Sequence, residues 1–565
     1  MTTKIVSIDG SPLTTTPKVT LGGMKALGVC GGKFAVFSLL NKQVSLLGPS
    51  DLKEMNLKAH FGAKWCEEQY TEFDTRKETM VFNHRRLAND IITDCQAAGT
   101  YSQAFERRTG VWQMDDGQLV INGHELWQPD GEVLEHGIHE GRVYPSFGTV
   151  GFDRHTPEAS DDEVNEVLGA FGSLNWAHPL ASELLLGWLG VAATAAALRR
   201  RPHVMLTGPR GCGKSTVLEL VKEVLGVMCT AFTGVPTEAG LRQRLAGNPT
   251  AALIDEFEYD PSKKNCRDTL EHARSAYSLQ EGDEGVVRGS VTGKAVSFRI
   301  VSPFLVAGIS PGRMEPADIS RWVVLEAKDR KVDGKMLEKA KARELGPKLA
   351  RRFIGRWSVF QASEAVLRDR ILASGGDGRM ADTVGTLLAG YWAFVSDRPA
   401  TAEDAKFLVD MLGIEERIAN QAVSDEQQCL EALTSRVVPF KVMDGYSLVT
   451  RQLSIGQAVE LVCKDPTGQS DVVTKLAQMG LRVTLAKGKW SLYVANSHMH
   501  QELRKLFAGT KWAAGGWSVV LRRLPGGVES TQRIGASSGA MKVTVVDVPQ
   551  HLLPADDEDD MLLAA

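Results

Sequence analysis

The chain has 565 residues, 43% of them hydrophobic and 24% charged, and a formal net charge of -4 at pH 7. That length and apolar content predict two to four domains with cores of their own and exclude a chain that is disordered over long stretches. The near-balanced charge excludes a wholly basic nucleic-acid coat, while leaving open a basic channel confined to one surface.

The eight cysteines, Cys30, Cys66, Cys95, Cys212, Cys229, Cys266, Cys429 and Cys463, form no Cys-x-x-Cys pair and no cluster with His at ligand spacing. A structural zinc site is not expected. The N-terminus, MTTKIVSIDG, lacks the charged-then-apolar order of a signal peptide, and the most apolar run, LLLGWLGVAATAAAL, is short for a bilayer span. It reads as a buried helix in a cytoplasmic protein with reduced thiols and no membrane partner.

In chain order, residues 1–150 mix short β-like runs (KFAVFSLL, QVSLLG, GQLVING) with an amphipathic helix near Arg85 to Ala98, and predict an α+β domain. An acidic connector, PEASDDEVNEV, opens a 151–335 segment in which helices precede alternating strands and helices. Residues 336–434 have helical periodicity, with Gly375 and Gly376 breaking one helix and DRPATAEDA capping the start of another. Residues 435–548 mix short strands and helices as a small α+β, winged-helix-like domain, and 549–565 is an acidic tail, ADDEDDMLLAA, too polar to build a core.

The chemistry is concentrated in the second segment. GPRGCGKS fits G-x-x-x-x-G-K-[ST], with the apolar run HVMLT before it and the helix-compatible STVLELVKEVL after it. Gly208, Gly211 and Gly213, with Pro209, Arg210 and Cys212 between them, let backbone N–H groups turn inward on phosphate oxygens. Lys214 is expected to reach the β- and γ-phosphates of ATP, and Ser215 to give its hydroxyl to Mg²⁺. The run TAALIDEFEYD is an apolar strand ending in two carboxylates: Asp255 is the expected magnesium partner and Glu256 the general base that orients the attacking water.

Downstream, QEGDEGVVRGSVTGKAVSFRIVSPFLVAGIS reads as a hairpin before an apolar strand, with Arg288, Lys294 and Arg299 on or beside it. Such a hairpin either grips DNA phosphates in a channel, with Lys294 foremost, or stands as a solvated surface feature. The strand FLVAGI ends at Ser310, placed to sense a γ-phosphate. ADISRWVVLEA puts Arg321 just before another strand. Arg321 either crosses a subunit boundary to a neighbour's γ-phosphate, an effect worth roughly three to five orders of magnitude in rate, or pairs with Asp318 on the surface.

This order of parts resembles superfamily 3 helicases, the hexameric AAA+ motors of viruses and plasmids. RRTGVWQMDDGQLVING, LLLGWLGVAATAAALRRRPHVMLTGPRGCGKSTVL, LEHARSAYSLQEGDEG and FAGTKWAAGGWSVVLRRLPG look similar to the helicase portion of phage and prophage primase-helicase proteins. The resemblance implies a P-loop AAA+ core, Thr216 beside the α-phosphate, a homo-hexameric ring, and ATP-driven movement along single-stranded DNA with strand separation at a fork. Ser310 stands where superfamily 3 commonly has Asn. No zinc-ribbon cysteines or Toprim-like acidic cluster precede the motif, so priming is expected to come from a separate protein. An AAA+ ATPase that remodels protein or DNA-protein complexes without unwinding is the other reading of the same motifs.

Arg107, Arg108, Trp112 and Trp127 combine cations with aromatics that suit base stacking or packing alike; Trp127 reads as core and Trp112 stays open between the two. Lys487, Lys489, Trp490, Lys511, Trp512, Arg522 and Arg523 pose the same alternatives near the C-terminus.

Overall fold

The computed structural model describes residues 20–553, apart from 22, 259–262, 281–282, 284, 290–294, 309–313, 315, 331–335, 414–424, 446, 487, 498–499, 511, 514 and 536–538. The chain is mixed α/β and divides into two units, 1–419 and 420–565.

The first unit begins with an antiparallel sheet containing Met24–Cys30, Lys33–Ser38 and Val44–Leu47. The helix His84–Ala98 covers it with Leu87, Ile91 and Cys95, a stripe at four-residue spacing. Asn83 caps that helix by accepting the Arg86 N–H at 3.1 Å. A second sheet follows from Gly110–Gln113, Leu119–Asn122, Leu126–Trp127 and Val133–Leu134. All four residues of Leu119–Asn122 are buried, because both faces are covered. Val111, Leu119, Ile121 and Trp127 join the large core of the residues that follow, while Trp112, Val120, Leu126 and Tyr144 form a smaller cluster. Apolar packing therefore runs on past residue 150.

The central sheet has six strands in the order Leu174–Trp176, Trp322–Arg330, His203–Thr207, Phe304–Ala307, Ala251–Asp255 and Cys229–Thr233. The last five are parallel and the Leu174–Trp176 edge strand is antiparallel. His203–Thr207 and Phe304–Ala307 are buried at every position, as expected of strands covered on both faces. The chain leaves His203–Thr207 for the far edge, returns strand by strand, and finishes on its other side. Its carboxyl end is thus the topological switch point, where open α/β sheets place ligands.

Helix Ala181–Ala193 is buried at every residue except Glu183. Its 13 residues fall short of the roughly 20 that span a bilayer, and among the described residues no helix is long and apolar enough to cross a membrane. It packs so closely on helix Thr386–Val395 that a Cβ on Gly187 would lie 1.9 Å from the Leu387 carbonyl oxygen. Helices Lys339–Gly355, Trp357–Ala373 and Ala402–Met411 complete this layer. Helix Trp357–Ala373 stops just before Gly375 and Gly376, and Thr401 with Asp404 forms a capping box for Ala402–Met411.

The second unit starts with helix Asp425–Thr434, whose Cys429, Leu430 and Leu433 belong to that unit's core. Hairpin Val437–Asp444 with Ser447–Ser454, helices Ile455–Lys464 and Ser470–Gln478, and an antiparallel sheet follow. That sheet runs Leu481–Ala486, Lys489–Ala495, Met541–Asp547, Val528–Gln532. Trp512 and Trp517 are buried in its core, with Trp517 stacked on Phe507 at 5.0 Å.

Candidate functional site

The loop after His203–Thr207 bends back on itself through left-handed backbone at Gly208 (φ +138), Gly211 (φ +79) and Gly213 (φ +102). At Gly208 a second constraint acts: a Cβ would sit 2.1 Å from the Ala327 carbonyl oxygen of the neighbouring strand. Helix Lys214–Leu225 begins directly on Gly213 with no side-chain cap, leaving its first N–H groups for an anion. The Lys214 ammonium donates to the carbonyls of Gly208 (2.7 Å) and Pro209 (2.8 Å), and so crosses the mouth of its own loop.

Asp255 ends its strand with Oδ1 accepting the Ser215 hydroxyl at 3.3 Å and the Glu256 N–H at 2.9 Å. Glu256 is exposed and left-handed, φ +55, an uncommon state for a residue with a Cβ. It is held there from both sides, since Phe257 N–H donates to Ala307 O at 2.8 Å and Glu258 N–H to Glu256 O at 2.9 Å.

Arg210, Gly211, Lys214, Ser215, Asp255 and Glu256 all line one cleft of about 860 Å³. With Glu258, Lys263 and Lys264, which also line it, the cleft holds four cations and three carboxylates, a set that suits a polyphosphate with a divalent cation. The Ser215 hydroxyl and an Asp255 carboxylate oxygen, 3.3 Å apart, would hold such a cation between them, Asp255 through water or the serine. The oxygen-only donor set also fits a hard cation.

The cleft has further walls that sequence spacing does not reveal. Lys263, Lys264 and Asn265, at the start of helix Lys264–Ser278, line it, as do Ala307 and Gly308. That helix is fixed at its other end by two buried groups. The Arg201 guanidinium, enclosed by protein, donates to Ala195 O (2.7 Å), Ala276 O (3.1 Å) and Leu279 O (3.0 Å). Its burial pushes its pKa down to about 9. His203 Nδ1 accepts the Phe304 N–H at 3.1 Å, so Nε2 carries the proton and donates to Ala273 O at 2.7 Å. Burial holds that imidazole neutral, with a pKa pushed down to about 3. A signal was present in RRRPHVML, where three arginines and a histidine abut a buried strand.

The remaining expected site residues fall elsewhere. Cys212 is buried and Thr216 exposed; neither lines the cleft, nor do Gly208, Pro209 and Gly213. Arg321 is half-buried, with its guanidinium 5.7 Å from the Tyr277 ring centre and donating to Ala317 O. Its Nε has no partner among the described residues. Burial, then repulsion from Arg379 and Arg274, lowers its pKa. Asp318 does not form the surface pair weighed for Arg321: it takes Arg274 in a bidentate pair at 2.7 and 2.8 Å. Strands Val286–Gly289 and Ala295–Phe298 form a hairpin, with Arg288 opposite Val296. Arg299, just beyond it, donates to Gln280 O at 2.9 Å and to Asp283 O, which ties the hairpin's base to the chain before it. Lys294 and Ser310 lie outside the described residues, as do Lys487, Lys511 and the tail from 554 on; the first residues assigned to that tail, 549–553, instead place Leu552 and Leu553 against the second unit's core.

Trp112 is buried, with its indole N–H on Arg108 O at 2.7 Å and Arg107 over its ring at 4.7 Å, and Trp127 is buried with Arg351 over it at 4.8 Å. Both pack; neither offers a free stacking platform. Among the described residues no group of His, Cys, Asp and Glu forms a metal cluster, and the cysteines are free thiols.

No protein-family model matches the chain, and no curated protein matches it. Among solved structures, similar chains include the NrS-1 C terminal region (305-718) in its A form, apo, at 12% identity and TM-score 0.34, covering 93% of this chain and 96% of that chain. The apo structure of the same region has 13% identity and TM-score 0.33 over 93% and 96%. A further A form apo structure of that region has 12% identity and TM-score 0.34 over 93% and 97%. Likenesses at this level establish neither a fold nor an activity for this chain.

Proposed function

We propose that the chain is a magnesium-dependent ATP hydrolase with a P-loop core of the AAA+ type, which assembles as a homo-hexameric ring and moves along single-stranded DNA to separate strands at a fork. The observation that carries the reading is the meeting of Lys214, Ser215, Asp255 and Glu256 in one cleft, with Ser215 and Asp255 already 3.3 Å apart. In this reading Lys214 leaves the Gly208 and Pro209 carbonyls for the β- and γ-phosphates, and Ser215 and Asp255 hold the magnesium. Bound Mg²⁺ supplies neutralisation of the charge that develops on the phosphate oxygens. Glu256 orients the attacking water, its position set by the turn from Asp255 to Glu258.

Arg321 directly precedes strand Trp322–Arg330, and in this reading it serves a neighbour's phosphates in a ring. A hairpin inserted between the Asp255 strand and Phe304–Ala307 supports a DNA-contacting element driven from the cleft. In the second unit, two helices followed by the Leu481–Ala486 and Lys489–Ala495 pair support the winged-helix reading. Lys and Arg outnumber Asp and Glu two to one between 437 and 553, in a chain whose net charge is -4, which supports a further DNA contact there. A separate primase would supply primers.

The test is strand displacement on forked DNA with wild type, Lys214→Ala and Arg321→Ala, alongside electron microscopy. Wild type is expected to form rings and unwind with ATP. Arg321→Ala should still bind nucleotide but hydrolyse it about a thousandfold more slowly. Hydrolysis with neither rings nor displacement would leave an ATPase that remodels complexes without unwinding.

A further inference from the structure

A second hollow, of about 450 Å³, lies beside the loop, between helix Asp161–Phe171, the edge strand Leu174–Trp176 and helix Ala181–Ala193. Leu174 connects it to the phosphate loop: this side chain lines the hollow, and its Cδ1 stands 3.4 Å from where a Cβ on Gly213 would be. The edge strand runs antiparallel to Trp322–Arg330, with Leu174 opposite Arg330, so its first residue is at the loop end of the sheet.

The lining is polar in a particular way. Asn165, Asn175 and Ser182 face the hollow, and none of their side chains makes a hydrogen bond to a described residue. Glu183 is the one residue of its helix that is not buried, yet its Oε2 is enclosed without a partner among the described residues. Burial raises its pKa. Trp176 supplies a fixed aromatic wall, its indole N–H held by Phe171 O at 2.9 Å. Ser182 and Glu183 project from the apolar helix Ala181–Ala193, and the exposed Asn165 and Asn175 line the same hollow, so four polar side chains edge one concave surface beside Trp176.

We propose that this hollow is the base-binding half of the nucleotide site and takes the adenine ring. The inference rests on the reading of Gly208–Ser215 as the phosphate loop. Adenine brings a flat face for Trp176 and, along one edge, the amino donor and N7 acceptor that an asparagine amide matches in pairs. Leu174 stands between base and phosphates, where a ribose would pass. Asn165 and Asn175 are therefore specificity-determining residues, and they take no part in hydrolysis.

Calorimetric titration of the full chain with Mg-ATP, Mg-GTP and magnesium tripolyphosphate tests this, using wild type and Asn165→Ala/Asn175→Ala. Both asparagines are exposed, and tripolyphosphate binding reports an intact loop in the variant. The variant should bind ATP about tenfold or more weakly, the loss expected of two side-chain hydrogen bonds, with tripolyphosphate unchanged and the preference for ATP over GTP reduced. ATP affinity equal to wild type, or an equal loss for ATP and tripolyphosphate, overturns the base site while leaving the phosphate loop standing. Wild type that binds neither ligand removes the phosphate-loop reading and the base site together.

Discussion

Glu256 is a place where the fold works against its own stability. Its φ of +55 puts a residue with a Cβ in left-handed backbone, which costs about 1–2 kcal/mol. The side chain is exposed, so no packing compensates for it. Glu256→Gly removes that cost but frees the unfolded chain, a loss of about 0.5–1 kcal/mol, for a net gain of about 0.5–1 kcal/mol. Glu256→Gln also lacks the carboxylate yet keeps the Cβ and hence the strained turn. Equilibrium urea unfolding of the two variants isolates the backbone term, because the difference between them contains no change in charge. Both should still bind ATP, and in each hydrolysis should fall by at least about a hundredfold. A glycine variant less stable than the glutamine variant would refute storage of strain at this turn.

Two further outcomes follow from groups around the same strand. His203 is neutral and buried, with a folded pKa near 3 against about 6.5 in the unfolded chain. Its contribution is fully present above pH 6.5 and is lost as pH falls from there toward 3, because only the unfolded state takes up the proton. Stability should drop by about 1.4 kcal/mol per pH unit over that window from this group, and His203→Asn, which can still accept from Phe304 and donate to Ala273, should flatten that part of an acid-unfolding curve. Gly208→Ala forces a Cβ to 2.1 Å from the Ala327 carbonyl as well as a disfavoured φ, and should cost about 2–3 kcal/mol in thermal unfolding, with loss of ATP binding. Gly211→Ala, with nothing within 4 Å, should cost less than half of that and serves as the comparison.

The loop, its lysine and the carboxylate pair were legible because each lies in a short run whose spacing fixes its own backbone: glycines at three turns, then a helix, and an apolar strand that ends in two acids. The alternation of strands with helices was legible in the same way, whereas the order and direction of the strands in the sheet were not. What the sequence hides is long-range. Lys263, Lys264 and Asn265 enter the cleft at the start of a helix whose far end Arg201 and His203 hold, a placement with no periodicity. Leu174 meets Gly213 through an antiparallel edge strand of three residues, too short to register as a strand. Strand Leu119–Asn122 looks from its pattern like part of a free-standing domain, but its second buried face becomes evident only once the helices that cover it are in place. Asp318 likewise takes Arg274, from 44 residues away, and not the nearby Arg321.

The most direct test of the central claim is phosphate release from Mg-ATP by the full chain, measured together with equilibrium nucleotide binding, for wild type, Lys214→Ala and Glu256→Gln. Wild type should hydrolyse ATP, Lys214→Ala should lose binding and hydrolysis together, and Glu256→Gln should keep binding while hydrolysis falls by at least about a hundredfold. Hydrolysis at the wild-type rate in both variants would contradict the assignment of this cleft as the place where ATP is split.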